Sequence, residues 1–251
     1  MNRIKLAAWF IVGGLMICTM GFAQEAEKKQ KEKKTFEGAR PDLPGVLGID
    51  FGWVMADFPS EMNLNFWRST TFSAYYKYDF FLGNSNFVIH TGFGITSENY
   101  SFWNDVSIAS VPTLDGYQTE LVSLDTILLP DADVRKSKIN PVYIDIPFEF
   151  TYTTNREIPK KAVKISFGAK IGFLIDSKTK INFRQDGQKK VLKDKQNFDL
   201  SWYRINLMGR IEYASVGFFY SYSLDPLFEG DKGPMGTTAQ PMSFGFSFAL
   251  F

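Results

Sequence analysis

The residues of this chain whose types and spacing suit chemistry are acids and bases that alternate with apolar residues along short segments. Carboxylates and cations in such numbers could form ion pairs, line a path for ions or serve in acid–base catalysis. If each segment is a strand, these groups share one face: Asp50, Lys77, Asp79, Asp145, Glu149, Lys164, Lys170, Asp176, Arg204, Arg210 and Glu212. Acids and bases nearly balance in this set, which favours pairing.

The sequence gives little sign of catalysis. His90 is the only histidine, and no nucleophile accompanies it at a recognisable motif spacing, so we predict a hydrogen-bonded interior residue. The sequence also lacks a phosphate loop, a metal-ligand cluster and a nucleotide-binding fingerprint. We therefore expect no enzymatic activity, no cofactor and no metal. A small lipid-modifying enzyme that uses His90 is the alternative.

Eight segments after residue 45 alternate with period two, and the face opposite the charges is apolar, aromatic or small. We predict strands at 46–56, 70–81, 87–97, 141–153, 162–176, 200–213, 216–224 and 242–251. The first alternates Leu47, Ile49 and Phe51 with Gly48 and Asp50. An uncharged outer face with a polar inner face is typical of strands that separate lipid from a closed interior.

The predicted connections alternate between short and long. Short turns fall at 82–86, 155–161 and 214–215, and longer connections at 57–69, 98–140, 177–199 and 225–240. Outer-membrane barrels have short periplasmic turns and longer extracellular loops. The sequence therefore predicts an all-β fold, an eight-stranded antiparallel transmembrane β-barrel. A soluble β-sandwich or lipocalin-like barrel is the alternative, and the leader, the aromatic strand ends and the regular loop lengths count against it.

Residues 1–23 have the pattern of a secretory signal peptide, with Arg3 and Lys5 before an apolar segment and small residues at Gly21 and Ala23, the −3 and −1 positions. We predict cleavage after Ala23, export through the inner membrane and insertion into the outer membrane; a transmembrane anchor is the alternative. Cys18, the only cysteine, would leave with this peptide.

Residues 24–44 are rich in Glu and Lys without an apolar period, which predicts a charged periplasmic tether. A docking arm for a periplasmic partner is the alternative for this segment. Residues 45–251 form the predicted barrel. Lys and Arg total 28 and Asp and Glu 27, so the net charge gives no reason to expect a nucleic-acid partner.

The predicted strand number decides between a plug and a pore. An eight-stranded barrel is only wide enough for side chains to fill it, and buried charges are costly unless paired. We therefore predict a closed lumen held by a charge network of Asp50, Lys77, Asp145, Glu149, Lys164, Lys170, Arg204, Arg210 and Glu212. A narrow channel is the alternative.

The connection 177–199 contains Asp186-Gly187, a strong hairpin-turn signal. We predict a basic hairpin that extends its flanking strands above the membrane and carries Lys180, Arg184, Lys189 and Lys190. This hairpin is either solvated close to lipopolysaccharide phosphates or a docking site for a partner.

The connection 98–140 is longer than an idle loop needs to be. It carries an acidic segment and an apolar run that includes Leu121, Val122, Leu124, Ile127 and Leu128. The apolar run either covers the barrel mouth as a lid or binds a partner, because exposed apolar residues usually mark contacts.

The chain resembles the PorT-like outer-membrane β-barrel proteins of Bacteroidota. The resemblance covers about 45–251 and rests on the Ala23-Gln24 junction, on Pro141-Val142-Tyr143-Ile144-Asp145-Ile146-Pro147 and on the aromatic terminal strand. It implies an outer-membrane barrel and an association with type IX secretion. The terminal strand would carry the barrel-assembly signal in Phe244, Phe246, Phe248 and Phe251. Phe251 is out of phase with the others, so either a bulge lies near Ala249 or Phe251 turns inward.

These expectations converge on a structural, assembly or secretion-associated component that docks partners through its loops. The expected partners are outer-membrane lipids and lipopolysaccharide, the barrel-assembly machinery and a protein of an envelope or secretion complex.

Overall fold

The computed structural model describes residues 45–103, 105–113, 116–128, 132–155 and 161–250. The predicted signal peptide, the predicted tether and Phe251 lie outside these ranges. Among the described residues, no helix has the length and apolar character needed to cross a membrane.

The described residues form eleven strands and short helical turns. The strands are β1 (Val46–Met55), β2 (Thr70–Phe81), β3 (Phe87–Phe102), β4 (Val106–Thr113), β5 (Gly116–Ser123), β6 (Asp133–Thr153), β7 (Val163–Gln185), β8 (Gln188–Asp194), β9 (Tyr203–Tyr213), β10 (Val216–Ser223) and β11 (Met242–Leu250). The helix α1 (Leu124–Ile127) is a single turn, and three 3-10 turns lie at Ser60–Met62, Phe66–Arg68 and Pro234–Gly236.

Eight of these strands close into one antiparallel barrel in the order β1, β2, β3, β6, β7, β9, β10 and β11. The closure is made by β11, which pairs with β1 from Met242 opposite Met55 to Leu250 opposite Leu47. The predicted eight-stranded fold is therefore confirmed. Closure leaves no open edge among these strands, which suits a sheet surrounded by lipid.

The predicted orientation of the barrel strands is also confirmed. Large apolar side chains such as Phe93, Ile146, Phe167 and Phe218 are exposed on the outer surface, while the alternating inner positions are buried. This period of two produces a continuous apolar band around the barrel. On β6 and β7 the band ends at Val142 and Ile175, and we call the parts beyond these residues the extracellular extension.

Two hairpins stand above the band. The strands β4 and β5 pair with each other from Val106 opposite Ser123 to Thr113 opposite Gly116. The end of β7 pairs with β8, and their turn has positive φ at Asp186 (53°) and Gly187 (73°). Consecutive positive φ values are the requirement of a type I′ turn, so the predicted basic hairpin is present, with β8 separate from β9.

The prediction that Asp176 faces the lumen is wrong. Val142 pairs with Asp176 while Tyr143 pairs with Leu174, so β7 carries one extra residue at this point. Such a bulge exchanges the two faces of a strand. Asp176 therefore lies on the outer side, where its carboxylate is 2.8 Å from Lys195 Nζ.

The suggested bulge near Ala249 is also wrong. Ala249 lies opposite Gly48, and Leu250 lies opposite Leu47, in an uninterrupted register. The other suggestion, that Phe251 turns inward, concerns a residue outside the described ranges.

The extracellular mouth of the barrel is covered by its own hydrophobic core. Its buried members come from strand ends and loops: Val54, Met62, Tyr100, Phe102, Ile108, Ile139, Phe198, Leu200, Leu227, Phe228 and Ala239. The Phe58 ring makes edge-on contacts with Tyr100, Phe102 and Phe228 at centroid distances of 5.6–6.3 Å. The loops therefore pack together over the mouth rather than leave it open.

Candidate functional site

The centre of the lumen is occupied by a bidentate ion pair. Arg210 on β9 donates from Nη1 to Asp50 Oδ1 at 2.6 Å and from Nη2 to Asp50 Oδ2 at 2.9 Å. Both side chains are about 2 % exposed. Two parallel hydrogen bonds of this kind fix the geometry as well as the charge balance.

The Arg210 guanidinium is shared with further acids, and we call this group the lower layer. Its Nη2 is 3.5 Å from Glu149 Oε1, and Lys77 Nζ is 3.2 Å from Glu149 Oε2. The Ser247 hydroxyl accepts a hydrogen bond from Arg210 and donates one of 3.0 Å to Glu212 Oε1. Charges contributed by β1, β2, β6 and β9 are thus joined across the lumen, with the Ser247 hydroxyl of β11 between two of them.

A second group, the upper layer, lies nearer the extracellular mouth. Arg204 Nη1 is 2.7 Å from Glu98 Oε1, and Arg204 Nη2 is 3.8 Å from Asp145 Oδ1. Lys170 Nζ is 3.3 Å from Asp145 Oδ2. All four side chains are at most 5 % exposed, so this layer is as dry as the lower one.

Aromatic and hydroxyl groups complete the upper layer. The Arg204 guanidinium lies 3.7 Å from the centroid of the Tyr143 ring, a cation–π contact. The Tyr100 hydroxyl donates to Glu98 Oε2 at 2.8 Å, and Lys170 Nζ donates to the Tyr75 hydroxyl at 3.1 Å. Thr96 donates to Asp145 Oδ2. These bonds satisfy polar atoms that would otherwise be buried alone.

A glycine provides the space in which Asp145 and Arg204 approach each other. Gly172 on β7 lies opposite Asp145 on β6 and opposite Arg204 on β9. A Cβ added at Gly172 would clash with Asp145 Oδ1 and lie 3.1 Å from Arg204 Nε. Residue 172 therefore has to lack a side chain for the ion pair to keep its place.

The periplasmic end of the lumen is narrow. A cavity of about 30 Å³ lies among residues that include Val46, His90, Lys164 and Ala249. Such a volume holds a water molecule or two. His90 Nδ1 is 2.7 Å from Asp79 Oδ1, while the Ser166 hydroxyl is paired with Thr151 at 2.7 Å. The histidine thus has an acid partner, and the serine at this end is engaged elsewhere.

The predicted lumen residues are brought together as a set. Asp50, Lys77, Asp145, Glu149, Lys170, Arg204, Arg210 and Glu212 are all buried. Lys164 is half-buried and lies opposite Glu212 in the register. The set forms two connected layers that fill the described interior. This arrangement supports a plug and leaves no wide aqueous path between the described strands.

Glu98 is a lumen residue that the sequence reasoning missed. The third strand was expected to end at 97, whereas β3 continues to Phe102. The inner positions Thr96, Glu98, Tyr100 and Phe102 are all buried. The alternation of these residues with outward ones indicates that the strand continues, but the prediction assigned them to the long connection that follows.

The apolar run of the 98–140 connection is mostly turned toward the protein. Leu124 is completely buried, and Leu121 packs against the extracellular core. Val122 and Leu128 are half-buried, and the side chain of Ile127 lies outside the described part of the chain. The β4–β5 hairpin, which was not expected, carries Leu121 and Val122, and the residues Val106–Val111 have the β-branched composition of a strand.

This hairpin is tied to the opposite loop by Asp199. Its Oδ2 accepts hydrogen bonds from the backbone amide and the hydroxyl of Thr119, each at 2.9 Å. Phe198 and Asp199 both have positive φ (53° and 48°), which is costly for residues other than glycine. The strained turn aims one residue into the core and the next at Thr119.

The predicted basic residues of the second hairpin lie along its length. Arg184 on β7 and Lys189 and Lys190 on β8 lie close to the Asp186-Gly187 turn, whereas Lys180 on β7 lies opposite Lys193 near the base of the hairpin. Lys190 Nζ donates to Gln185 Oε1 at 2.8 Å. Val191 and Leu192 are exposed beside them, so the tip presents apolar and cationic groups together.

The terminal strand presents its aromatic residues to the outside. Phe246 and Phe248 are exposed, and Phe244 contacts Phe66 and Trp53 at ring-centroid distances of 6.1 and 6.2 Å. Phe244, Phe66 and Trp53 form an aromatic cluster with Trp67 at the extracellular edge of the band. Such girdles are typical of transmembrane barrels.

Comparisons with known proteins agree with this architecture. A family model described as an outer membrane protein beta-barrel domain matches residues 23–229. No curated protein matches the chain.

Two similar solved structures are crystal structures of Ail, the attachment invasion locus protein of Yersinia pestis. The one in complex with the heparin analogue sucrose octasulfate is 10% identical, covers 83% of this chain and 100% of that chain, and has a TM-score of 0.33. The other is 11% identical, covers 82% of this chain and 97% of that chain, and has the same TM-score of 0.33.

Proposed function

The chain belongs to the outer membrane protein beta-barrel domain family, and on that premise we propose that it is a closed membrane anchor that docks a protein partner through its extracellular hairpins. In this function the barrel transports nothing and catalyses nothing. It holds two hairpins at a fixed height above the outer membrane. The partner belongs to an envelope or secretion complex, as the resemblance to PorT-like proteins of Bacteroidota favours.

The observation that carries this proposal is the contrast between the lumen and the hairpin tips. Paired charges fill the lumen, whereas Tyr117 at the tip of β5 is 74 % exposed and Val191 on β8 is 54 % exposed. Exposed apolar side chains above a membrane suit a contact with another protein. Leu124 is buried, so docking falls to the exposed residues around it.

The channel and enzyme alternatives find less support. The interior offers a cavity of about 30 Å³ at one end, which is too small for a solute path. His90 is paired with Asp79, but the neighbouring serine is hydrogen-bonded to Thr151. A histidine–acid pair without an activated nucleophile does not make a hydrolase.

The experiment is affinity purification from the native outer membrane with variants of the hairpin tips. We expect Tyr117→Ser combined with Val191→Ser to lose the co-purifying partner while the barrel stays folded, as its heat-modifiable gel mobility reports. Gln118→Ser, an exposed polar change on the same hairpin, is the matched control and should keep the partner. Retention of every co-purifying protein by the double variant would contradict the docking proposal.

Two steps toward the membrane are part of the same proposal. Residues 1–23 direct export and are removed, so the mature chain should begin at Gln24 when its mass is measured. The outward rings of β11, including Phe246 and Phe248, are offered to the barrel-assembly machinery. Replacing both with Ser should reduce the folded barrel in the outer membrane more than the inward change Ser243→Ala does.

A further inference from the structure

A row of lysines lies on the outer face of the extracellular extension. Lys138 on β6 is directly opposite Lys180 on β7, and Lys180 is directly opposite Lys193 on β8. Cross-strand partners share a face of a sheet, and neighbouring strands are about 4.8 Å apart. We call Lys138, Lys180 and Lys193 the lysine row; its three cations lie side by side across roughly 10 Å of surface.

Like charges directly opposite each other destabilise a sheet, so the row has an energetic cost. In the described part of the chain, no carboxylate comes within ion-pair distance of Lys138, Lys180 or Lys193. The nearby acid Asp176 is engaged by Lys195 and Lys178. Lys138 donates a hydrogen bond to Asn99, a neutral group.

Further cations surround the row and strengthen the field. Lys136 is on the same face of β6. Burial lowers its pKa, and the positive charge of the nearby Arg68 lowers it further. Burial is also the main reason why the pKa of Lys138 falls to about 8, and Lys136, Lys180 and Lys178 lower it further. The groups that face Lys138 are therefore cations and Asn99, and Asp176 is paired with Lys178 and Lys195.

The height of the row identifies the environment of these charges. The apolar band of β6 ends at Val142, and at ~3.3 Å per residue and ~40° tilt the strand climbs roughly 10 Å from there to Lys138. The polar headgroup layer begins at the edge of the hydrocarbon and is about 5–7 Å thick in a simple bilayer. Lysine stems bend to bring their charge to such a layer.

We propose that the lysine row binds the phosphate groups of phosphorylated glycolipid in the outer leaflet. The ligand chemistry is a phosphate monoester or diester fixed to a lipid anchor, held against β6, β7 and β8 at the level of the headgroups. The negative charge of the bound phosphate takes the place of a carboxylate partner and reduces the repulsion between Lys138, Lys180 and Lys193. This site is distinct from the proposed docking surface at the hairpin tips, and it rests on membrane placement alone.

The test uses the mature full-length barrel in zwitterionic detergent, titrated with micelles that contain purified lipid A. Lys138→Gln combined with Lys180→Gln should weaken binding at least roughly tenfold, since each surface cation contributes about 1 kcal/mol to attraction by anionic lipid. The matched control is Lys161→Gln combined with Lys232→Gln, which removes the same charge from exposed positions away from the row. That control should bind as the unchanged protein does.

Two further arms identify the source of the phosphate. Dephosphorylated lipid A should bind weakly to every variant, and inorganic phosphate at millimolar concentration should compete poorly because it lacks the lipid anchor. Binding of lipid A should also be accompanied by proton uptake at pH 8.5, since an anion beside Lys138 favours its charged form.

Equal affinity of the row variant and the control for lipid A would overturn the proposal. Full competition by inorganic phosphate or by a soluble polysulfate, with no preference for the lipid, would also overturn it, because the row would then be a general anion surface. Loss of the protein partner with lipid binding intact would bear on the docking proposal alone.

Discussion

Arg210 and Asp50, separated by 160 residues in sequence, meet in the middle of the barrel through two hydrogen bonds of 2.6 and 2.9 Å. Asp50 lies on the first strand of the barrel and Arg210 on the sixth barrel strand in chain order. Such a pair forms only when the barrel closes. It is therefore a direct marker of the folded state of the lumen.

Removing one member of this pair leaves the other charge buried and unpaired. We predict that Arg210→Ala destabilises the barrel by about 3–5 kcal/mol, measured by urea unfolding in lipid vesicles. The double change Asp50→Ala with Arg210→Ala should cost less than the sum of the two single changes. Strict additivity of the three values would show that the two residues do not interact.

The cost of placing a charged residue on the outer face should depend on its depth in the membrane. Phe167→Arg, in the apolar band, should cost roughly 2–4 kcal/mol, while Val216→Arg, next to a periplasmic turn, should cost about 0–1 kcal/mol. Both side chains are exposed on the barrel surface, so exposure alone predicts no difference. Equal unfolding free energies for the two variants in vesicles would argue against lipid on that face.

Gly172 should be intolerant of a methyl group. In Gly172→Ala the new Cβ meets Asp145 Oδ1 and Arg204 Nε, and overpacking of this kind costs about 1–3 kcal/mol. Gly209 is the matched control, since no heavy atom lies within 4 Å of an added Cβ there. We expect Gly209→Ala to leave the unfolding midpoint nearly unchanged. A Gly172 variant as stable as the Gly209 variant would place Asp145 and Arg204 farther apart than described.

Lys138 should make stability depend on pH in the alkaline range. Its pKa is about 8 in the folded protein against 10.5 for an ordinary lysine, so between these values the unfolded chain binds more protons. The stability difference between the unchanged protein and Lys138→Met should therefore rise in favour of the unchanged protein from pH 8 to 10.5. Unfolding in vesicles without phosphorylated glycolipid measures this difference, and a flat difference would contradict the crowding of cations around Lys138.

The sequence was sufficient for the barrel and for most of the lumen. Period-two alternation identifies the outward face of all eight barrel strands, because lipid excludes charge from that face. The strand count then implies a filled interior; all of the predicted lumen residues except the half-buried Lys164 are buried.

The regions above the membrane were harder to predict, because no lipid constrains the faces of the strands there. The bulge at Ile175 reversed the expected direction of Asp176, and a single extra residue leaves no clear mark in composition. Glu98 was missed because β3 continues past residue 97 into what was expected to be a loop. Leu124 was left open between a lid and a contact, and the structure buries it. The PorT-like relationship, the signal peptide and the partner remain predictions.

The most direct test of a closed, ion-paired lumen is the electrical conductance of the purified barrel in a planar lipid bilayer. The paired layers around Arg210 and Arg204 and the covered extracellular mouth predict no stable current steps from the unchanged protein at moderate voltage. Insertion can be verified in the same preparation by heat-modifiable gel mobility. Stable steps comparable to those of a general porin, from protein verified as folded, would contradict the closed lumen.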